Sequence, residues 1–433
     1  MAFSAIKNEE EKKEYFDEPA VLDEKVTRLA EMILTSNHFV SFTGAGISTA
    51  CGIPDYRSGY KTVLETGPGC WETAANKQKY REEQKKAASA GGPQPKAPAN
   101  KAGLKTSMQK AYPSITHMAL VELMNRGHLK HAISQNVDGL HRKSGIPAHN
   151  LSELHGNTNL EVCMECGREY MRDTRVRTAQ TVHEHKTGRK CEVPGCNGDL
   201  KDTIINFGEN LNPNIFDLAQ QNCDVADLCL SMGTSHRLGH VHSMPLAVAQ
   251  NGGNFVNVNL QKTPLDKYCS MVIHAKCDDV MKLLMQKLGY EVPVWQMKKR
   301  LEVSLIENGS KLKLTGVEYN GQPFHLFKKV NVSIPNKKLS FPTQQQTKQP
   351  YKFTLPAEAQ RPAQATVELQ FFGHYSEKNL QFQVDLAELA NGPITYEMVY
   401  DSPSGDWEII VMYDSNRNVV GVTEFTQKKA PAN

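Results

Sequence analysis

The chain has 433 residues, of which 39% are hydrophobic and 22% charged, and its formal net charge is +3. This composition is typical of a globular protein, and the length predicts two or three domains. The small net charge does not by itself require a nucleic-acid partner. We find no run of about 18 apolar residues for a transmembrane helix and no apolar core of a signal peptide. The ten cysteines are expected to be reduced, which indicates an intracellular compartment.

The N-terminal part of the chain begins with charged residues and continues with a helix. Residues 1–20 are expected to form a disordered tail, apart from a docking segment within it. Apolar residues at helical spacing then predict a helix over residues 21–36. This helix leads into the first strand.

A glycine turn follows that strand. The apolar run 38–42 predicts a buried strand that ends in Gly44-Ala45-Gly46, where small residues would let the backbone approach a ligand closely. If a helix begins near Ile47, its free N–H groups would suit a pyrophosphate, as in dinucleotide-binding turns. Taken alone the motif is weak, because Thr49 occupies the place of the third glycine in the usual fingerprint.

The loop after the turn concentrates polar and aromatic groups. The stretch Gly52-Ile53-Pro54-Asp55-Tyr56-Arg57 places a rigid proline beside a carboxylate, an aromatic ring and a guanidinium group. Loops with such groups often carry binding and catalysis. We therefore expect the loop to contribute to a functional site.

Residues 77–110 differ in composition from the rest of the chain. They contain nine basic residues against two acidic ones and almost no large apolar residue. This pattern predicts a disordered surface insertion. It is either a solvated linker or a contact for nucleic acid or phosphate, because a mobile basic arm gains affinity from counterion release.

The region up to about residue 300 alternates predicted strands and helices. This alternation predicts a mostly parallel sheet covered by helices on both faces. The predicted strands lie at 130–134, 151–155, 203–207, 225–232, 255–260 and 272–273, and the helices at 117–126, 215–221 and 278–288. Polar clusters follow several of the strands, at the sheet edge where open parallel sheets bind ligands.

Each polar cluster is weak alone, but together they indicate one site. The clusters are Gln135-Asn136-x-Asp138 with His141, His155, Phe207-Gly208-Glu209, Gly233-Thr234-Ser235 and Asn259-Leu260-Gln261. The amides and the carboxylate could bind a ribose or an amide, or could merely cap a turn. A histidine in a loop beside glycine suits a general base, so His155 is the first candidate and His141 its competitor.

Two cysteine pairs form the strongest local signal in the chain. Cys163-x2-Cys166 and Cys191-x4-Cys196 are separated by 24 residues. This spacing predicts a tetrahedral zinc site with four thiolate ligands, which leaves no position for a catalytic water. Redox disulfides and unrelated thiols are the alternatives.

Beyond residue 300 the pattern becomes all-β. Roughly eight short strands separated by turn signals predict a β-sandwich or a small barrel. No acidic, His or Cys constellation occurs there, which favours a structural or binding module of unknown role. The predicted domains are a tail at 1–20, a catalytic domain at 21–300 with a cysteine-bearing module at about 160–200, and a β-domain at 301–433.

The order of these motifs over residues 20–297 resembles the sirtuin family of NAD-dependent protein deacylases. The resemblance rests on Gly-Ala-Gly-Ile-Ser, Gly-Ile-Pro-Asp-Tyr-Arg, Gln-Asn-Val-Asp-Gly-Leu-His, Leu-His-Gly, the four cysteines, Phe-Gly-Glu, Gly-Thr-Ser and Asn-Leu-Gln. The stretch 182–191 is most similar to the nuclear branch with mammalian sirtuins six and seven. The resemblance implies an α/β fold: a Rossmann-type parallel sheet, a small zinc-binding domain, and NAD in the cleft between them, here followed by the all-β domain.

The resemblance also implies roles for individual residues. It implies that His155 is the catalytic base and that Asn136 assists it. The implied NAD-binding residues are Gly44, Ala45, Gly46, Ile47, Ser48, Thr49, Ile53, Asp55, Tyr56, Arg57, Trp71, Gln135, Asn136, Asp138, Gly233, Thr234, Ser235, Asn259, Leu260, Gln261 and Cys277. The implied peptide cleft contains Phe207, Gly208 and Glu209, and the zinc ligands are Cys163, Cys166, Cys191 and Cys196.

The implied reaction is deacetylation, or more broadly deacylation, of lysine in histones or other nuclear proteins. The acyl group is transferred to ADP-ribose, nicotinamide is released, and zinc is structural only. Two rival functions are a protein mono-ADP-ribosyltransferase and a non-catalytic chromatin-binding protein whose basic insertion contacts nucleic acid or a nucleosome. A nuclear location follows from the resemblance, with the cytoplasm as the alternative, and no membrane association is expected.

The sequence departs from the family pattern directly after the Gly52–Arg57 stretch. Ser58 replaces the usual glycine after Arg57, and residues 60–69 look inserted before Trp71. Contacts of Ser58 and Trp71 with the cofactor are therefore less firmly predicted than the others.

Overall fold

The computed structural model describes residues 6, 8–90, 106–172, 174–238, 241–317, 327–334, 342–356, 364–373, 375, 377–401, 404–422 and 425–428. Within these residues, no helix has both the length and the apolar character needed to cross a membrane. The chain divides into two compact units. The first contains residues 1–158, 181–183 and 203–294, and the second contains residues 159–180, 184–202 and 295–433.

The α-helices are α1 (Pro19–Thr35), α2 (Cys70–Ala90), α3 (Ile115–Asn125), α4 (Leu140–Ser144), α5 (Pro213–Asp224), α6 (Ser243–Gln250) and α7 (Cys277–Leu288). The first ten strands are β1 (Phe39–Thr43), β2 (Leu129–Ser134), β3 (Leu151–Glu153), β4 (Leu160–Cys163), β5 (Glu169–Met171), β6 (Lys186–Lys190), β7 (Asp199–Asp202), β8 (Leu228–Met232), β9 (Asn254–Val258) and β10 (Met271–Ile273). The remaining strands are β11 (Met297–Ile306), β12 (Lys311–Val317), β13 (Phe327–Ser333), β14 (Gln344–Gln346), β15 (Tyr351–Thr354), β16 (Gln364–Phe371), β17 (Asn379–Asp385), β18 (Ile394–Asp401), β19 (Asp406–Tyr413), β20 (Val419–Val422) and β21 (Phe425–Lys428).

The first unit is built on a parallel sheet of six strands in the order β10-β9-β8-β1-β2-β3. The chain runs outward from β1 to β3, returns to the other side of β1, and runs outward again from β8 to β10. The strand order therefore reverses between β1 and β8, which is the point where open parallel sheets bind ligands. The predicted Rossmann-type sheet is confirmed.

Helices cover both faces of this sheet. On one face, α1, α3 and α7 bury a shared apolar cluster; in α1 the buried residues Val26, Leu29, Ala30 and Ile33 fall at helical spacing. On the other face, α5 and α6 pack against Val40 and Phe42 of β1. Because both faces are covered, the strands themselves are almost entirely buried.

The N-terminal tail was expected to be disordered apart from a docking segment, and its described residues are ordered. The Tyr15 N–H donates to the Leu260 carbonyl at 2.9 Å, and the Asp17 N–H donates to the His274 carbonyl at 2.8 Å. Ile6 is buried. Backbone hydrogen bonds to the sheet edge supply the order that the charged sequence did not signal.

Two further expectations were wrong. Residues 77–90 belong to α2 rather than to a disordered insertion, because their Ala, Lys, Gln, Glu and Arg are strong helix formers. Residues 91–105 of that insertion lie outside the described part of the chain. No strand forms over 203–207: β7 ends at Asp202, and a turn follows in which the Glu209 N–H donates to the Asn206 carbonyl.

Three antiparallel sheets are present among the described residues of the second unit. The cysteine-bearing module forms a sheet in the order β5-β4-β7-β6. The C-terminal region forms a six-stranded sheet, β15-β12-β11-β18-β19-β20, and a five-stranded sheet, β14-β13-β16-β17-β21. These two sheets face each other, since Phe371 of β16 stacks on Trp407 of β19 and Phe382 of β17 contacts Tyr396 of β18. Alternate residues of β16 are buried, as a sheet with one inward face requires.

Candidate functional site

A cavity of about 430 Å³ opens in the first unit at the carboxyl ends of the strands. Its size lies in the range of ligand pockets. Many of the predicted site residues line it, namely Gly44, Ala45, Gly46, Thr49, Asp55, Tyr56, Arg57, Trp71, Gln135, Asn136, His155, Phe207, Gly208, Glu209, Gly233, Thr234, Ser235, Asn259, Leu260, Gln261 and Cys277. All five strand-end clusters thus contribute residues to this cavity, together with the first glycine turn, the loop at Asp55 and the residues Trp71 and Cys277.

The glycines of the first turn are required by a contact between two strand ends. The Gly46 N–H donates to the Gly233 carbonyl at 2.8 Å. A Cβ atom added at Gly46 would lie 2.6 Å from Gly233 Cα, and one added at Gly44 would lie 2.7 Å from the Gly233 carbonyl oxygen. The turns after β1 and β8 are therefore in backbone contact. The helix after the first turn is a 3-10 helix at Ala45–Cys51, so it begins two residues before Ile47.

Four predicted cofactor residues do not line the cavity. Ile47 belongs to the apolar core, and Ile53 is not among the lining residues. Ser48 donates to Asp138 at 2.7 Å, and Asp138 also accepts from the Leu140 N–H at 2.9 Å. Ser48 and Asp138 therefore form a buried support for the lining residue Asn136, whose amide nitrogen donates to the Gly44 carbonyl at 3.0 Å.

His155 is held in one tautomer at the cavity wall. Its Nδ1 lies 2.8 Å from the backbone carbonyl oxygen of Gln135. Because a carbonyl only accepts hydrogen bonds, Nδ1 carries the proton and Nε2 keeps its lone pair. His155 thus has the form that a general base requires.

His141, the competing candidate, is buried away from the cavity. Its Nε2 lies 2.8 Å from the Thr43 hydroxyl, and its ring contacts the ring of His117 with centroids 4.9 Å apart. Burial lowers the pKa of His141 to about 3. His141 is neutral and buried, whereas His155 lies at the cavity wall.

The loop with Asp55, Tyr56 and Arg57 is ordered by its own polar groups. Ser58 donates to the Asp55 carboxylate from its backbone N–H at 3.1 Å and from its hydroxyl at 2.6 Å. Burial raises the pKa of Asp55, and the hydrogen bonds from Ser58 oppose that rise. The serine in place of the family's glycine therefore fixes the loop, and it also lines the cavity.

Aromatic rings surround the cavity mouth. The Trp71 ring lies 4.7 Å from the Tyr56 ring and 5.8 Å from the Phe207 ring. The Arg57 guanidinium stacks 4.4 Å above Trp71, and it donates to the Ser235 hydroxyl at 3.0 Å. Burial lowers the pKa of Arg57 to about 10, which still leaves the group cationic at neutral pH.

The turn at Phe207 places an exposed aromatic ring beside the Glu209 carboxylate, which accepts hydrogen bonds from the backbone. Phe207 is 68% exposed. The Glu209 carboxylate accepts from the Asn206 N–H at 2.6 Å and from the His183 N–H at 2.8 Å. Glu209 therefore shapes this turn, and the exposed ring of Phe207 is available to a partner.

Apart from Ser58, whose contact was predicted less firmly, the remaining lining residues were not predicted. They are Glu14, Ala50, Leu64, Glu65, Val137, Ile205, Asn206, Leu211, Leu238, Ala275, Lys276 and Asp278. Most are neighbours in sequence of predicted residues, so proximity to the motifs would have found them. Glu14 stands in a charged run with no motif, and only the tertiary structure places it at the cavity.

The four predicted zinc ligands form a cluster in the second unit. The Sγ atoms of Cys163, Cys166, Cys191 and Cys196 all lie within 4.8 Å of one another. Two of the separations, Cys163 to Cys196 and Cys166 to Cys191, are 3.6 Å. Zn–S bonds of about 2.3 Å in a tetrahedron give S···S edges of about 3.8 Å. The cluster thus fits a structural zinc ion.

Comparison with known proteins identifies the family. The sequence model described as the Sir2 family matches residues 44–240. The NAD-dependent protein deacetylase Sirt6 of Drosophila melanogaster is 34% identical over 65% of this chain and 80% of its own length. The human NAD-dependent protein deacetylase sirtuin-7 is 35% identical over 65% of this chain and 64% of its own. The chain therefore belongs to the Sir2 family, and the predicted likeness to sirtuins six and seven is confirmed.

A plant protein shows a higher identity over part of its length. The NAD-dependent protein deacetylase SRT1 of Arabidopsis thaliana is 43% identical over 65% of this chain and 52% of its own length. The chain thus spans about half the length of that relative.

Proposed function

We propose that this protein is an NAD-dependent protein lysine deacylase. The observation that carries the proposal is His155, whose Nδ1 is fixed on the Gln135 carbonyl at a cavity that lies at the topological switch point of a Sir2-family sheet. The cavity offers amides, hydroxyls and backbone groups to a dinucleotide, and exposed aromatic rings to a peptide. Bound NAD would supply a ribose carbon from which nicotinamide departs in favour of the acyl-lysine oxygen.

The lining residues divide into groups with separate tasks. The glycine turn and Thr49 would hold the pyrophosphate, whereas Thr234, Ser235, Asn259, Leu260 and Gln261 would hold the adenosine half. The Gly46 N–H donates to the Gly233 carbonyl at 2.8 Å, so the glycine turn is tied to the loop that carries Thr234 and Ser235. Cys277 contributes as a neutral thiol, because burial raises its pKa to about 12.

His155 would accept the proton of a ribose hydroxyl at Nε2. The positive charge that forms on the ring is stabilised by the Nδ1–H bond to the Gln135 carbonyl. Asn136, anchored on the Gly44 carbonyl, would orient the nicotinamide half. Phe207 and Gly208 would contact the peptide, and Glu209 would keep their turn in shape. Zinc would hold the β4–β7 sheet together through its four cysteines.

Mass spectrometry of acylated lysine peptides tests this proposal. Peptides with short, medium and long acyl groups are incubated with and without NAD. We expect NAD-dependent loss of one acyl group together with the matching O-acyl-ADP-ribose. A mass gain of ADP-ribose on a protein acceptor, with no acyl loss, would instead support the mono-ADP-ribosyltransferase.

Substitution of the base provides the matched test. His155→Ala should lower the turnover rate by about 10²–10⁴-fold, the contribution of general-base catalysis, while NAD still binds. The control is His149→Ala, since His149 is an exposed histidine in the same part of the chain. An unchanged rate in His155→Ala would contradict the assignment.

We further propose that the substrates are histones or other nuclear proteins, that the protein acts in the nucleus, and that α2 contacts nucleic acid or a nucleosome. The contact with nucleic acid is supported by five exposed basic residues of α2, which are Lys77, Lys79, Arg81, Lys85 and Lys86.

Replacing these five residues by Gln should reduce the salt dependence of DNA binding. The control replaces five exposed basic residues elsewhere, namely Arg28, Lys130, Lys267, Lys282 and Lys287. If both variants show the same slope of DNA affinity against salt, the role of α2 is contradicted. If imaging finds a tagged chain in the cytoplasm, the proposed nuclear location is contradicted.

A further inference from the structure

The N-terminal segment touches two walls of the cavity that are distant in sequence. We call residues 8–17 the N-terminal strap, and residues 55–69 the cofactor loop. The strap residue Glu14 is itself part of the cavity wall. Residues 8–17 have no role in the reaction proposed for the cavity.

On one side, the strap holds the cofactor loop. The Glu14 carboxylate accepts hydrogen bonds from the Thr62 hydroxyl at 2.6 Å and from the Val63 N–H at 2.9 Å. Lys12 also packs against the loop, since a Cβ atom added at Gly59 would lie 3.3 Å from Lys12 Cβ. The middle of the cofactor loop is therefore fixed by the strap.

A buried ion pair anchors the strap beside that contact. The Lys12 ammonium lies 2.8 Å from the Glu72 carboxylate, with side chains 15% and 5% exposed. The same carboxylate accepts from the Ile6 N–H at 2.9 Å. Burial disfavours the charged lysine, but hydrogen bonds to Glu72 and Glu9 outweigh it and raise the pKa of Lys12. Removing one partner would leave the other buried and uncompensated.

On the other side, the strap is joined to the strand end that carries Leu260 and Gln261. Glu14 forms an antiparallel bridge with Gln261, and the Tyr15 N–H donates to the Leu260 carbonyl at 2.9 Å. The Gln261 side-chain amide donates back to the Lys12 carbonyl at 3.2 Å. Arg237 pairs with Glu11 at 2.8 Å.

We propose that the N-terminal strap is part of the dinucleotide site and that Glu14 is its positioning residue, which holds the cofactor loop against the adenosine-binding edge before any ligand binds. This inference rests on the proposed function for the identity of the ligand. The cofactor loop has no helix or strand of its own between Cys51 and Cys70. Ser58 and Asp55 order the start of this loop. Its later residues lie outside any helix or strand and open at low cost unless contacts such as those of Glu14 hold them.

The consequence is an effect on binding rather than on the chemical step. If loss of Glu14 leaves the binding-competent loop populated one tenth of the time, the Kd for NAD rises about tenfold. The value of kcat at saturating NAD stays close to that of the unmodified protein, because bound NAD selects the same loop conformation.

The test compares Glu14→Ala, Glu14→Gln and Glu18→Ala in the full chain. Calorimetry measures NAD binding, and amide hydrogen exchange measures the order of residues 59–69 without ligand. Glu14→Gln keeps an acceptor for the Val63 N–H, so it should restore most of the affinity. Glu18→Ala removes an exposed carboxylate that makes no side-chain hydrogen bond to the helix it precedes, and it serves as the control.

We expect Glu14→Ala to raise the Kd for NAD about tenfold and to speed exchange in the cofactor loop. The inference is overturned if its Kd and exchange match those of Glu18→Ala. If Glu14→Ala does not fold, Lys12→Gln breaks the anchor without touching Glu14, and unchanged exchange in that variant overturns the inference. If the unmodified protein does not bind NAD, the proposed function fails, and the exchange comparison still decides the role of the strap.

Discussion

Glu161 in β4 is expected to be the residue on which the stability of the cysteine-bearing module depends most. Its side chain is fully buried and faces two arginines. The carboxylate accepts from Arg172 Nε at 2.8 Å, from Arg189 Nε at 2.7 Å and from the Thr187 hydroxyl at 2.8 Å. The substitution Glu161→Gln keeps the size of the side chain, removes its charge, and turns an N–H group toward these donors.

The expected cost follows from this burial. Breaking a buried ion pair from one side costs about 3–5 kcal/mol, because the remaining charges lose their partner inside the protein. The lower end applies here, because Arg172 retains Glu192 at 3.0 Å and Arg189 retains the Val176 carbonyl at 2.6 Å. A cost of about 3 kcal/mol raises the population of the opened module about 100-fold, at 1.4 kcal/mol per factor of ten.

Zinc release reports this opening directly. The zinc-loaded protein is mixed with a chromogenic chelator, and the release rate should rise about 100-fold in Glu161→Gln if opening precedes release. Asp199→Asn is the control in the same module, since Asp199 pairs with the exposed Lys186 and Lys190. Its release rate should stay near that of the unmodified protein. A Glu161→Gln rate within about threefold of the control would refute the argument from burial.

Three further predictions follow from the geometry. Gly46→Ala should abolish NAD binding and lower the unfolding temperature, because its Cβ would lie 2.6 Å from Gly233 Cα; calorimetry and thermal unfolding check this, and wild-type affinity would contradict it. Burial lowers the pKa of His141 to about 3, below the unfolded value of about 6.5. The neutral His141 therefore contributes fully to the free energy of unfolding above about pH 6.5. That contribution is lost progressively toward about pH 3, because the unfolded chain takes up the proton first. His141→Gln should therefore weaken the pH dependence of urea unfolding between pH 7 and 5, and an unchanged slope would count against it. Cys166→Ser should remove bound zinc, measured by atomic emission, whereas Cys70→Ser should leave one ion per chain.

The fold of the first unit was predictable because its signals are local. Apolar runs of strand length, each followed by glycine or polar residues, mark β1, β8 and β9. Helix α1 shows four buried apolar residues at helical spacing. The cysteine spacing is equally local and led to the cluster of four thiols. Composition was a poorer guide at α2, where solvated charged residues support a helix as well as a linker.

The roles of single residues depended on three-dimensional surroundings. The loop beside glycine made His155 the first candidate for the base, but both histidines follow strands, so His141 stayed a competitor. In the structure His155 lies at the cavity wall with a fixed tautomer, and His141 is buried against Thr43. Ser48 and Asp138 were predicted beside the cofactor, and they support Asn136 from behind. Burial and direction are properties of packing, which no local pattern contains.

By itself, the sequence determined the alternation of strands and helices, the zinc-binding spacing and the order of motifs at the strand ends. These depend on short-range periodicity and on residue chemistry, which are present before folding. Only the tertiary structure showed three contacts. Gly46 packs so closely on Gly233 that no Cβ atom fits, and the Glu209 carboxylate accepts hydrogen bonds from backbone N–H groups. Glu14 lies between the cofactor loop and Gln261 in the cavity wall. These contacts join residues far apart in the chain, so they exist only once the sheet has brought its strand ends together.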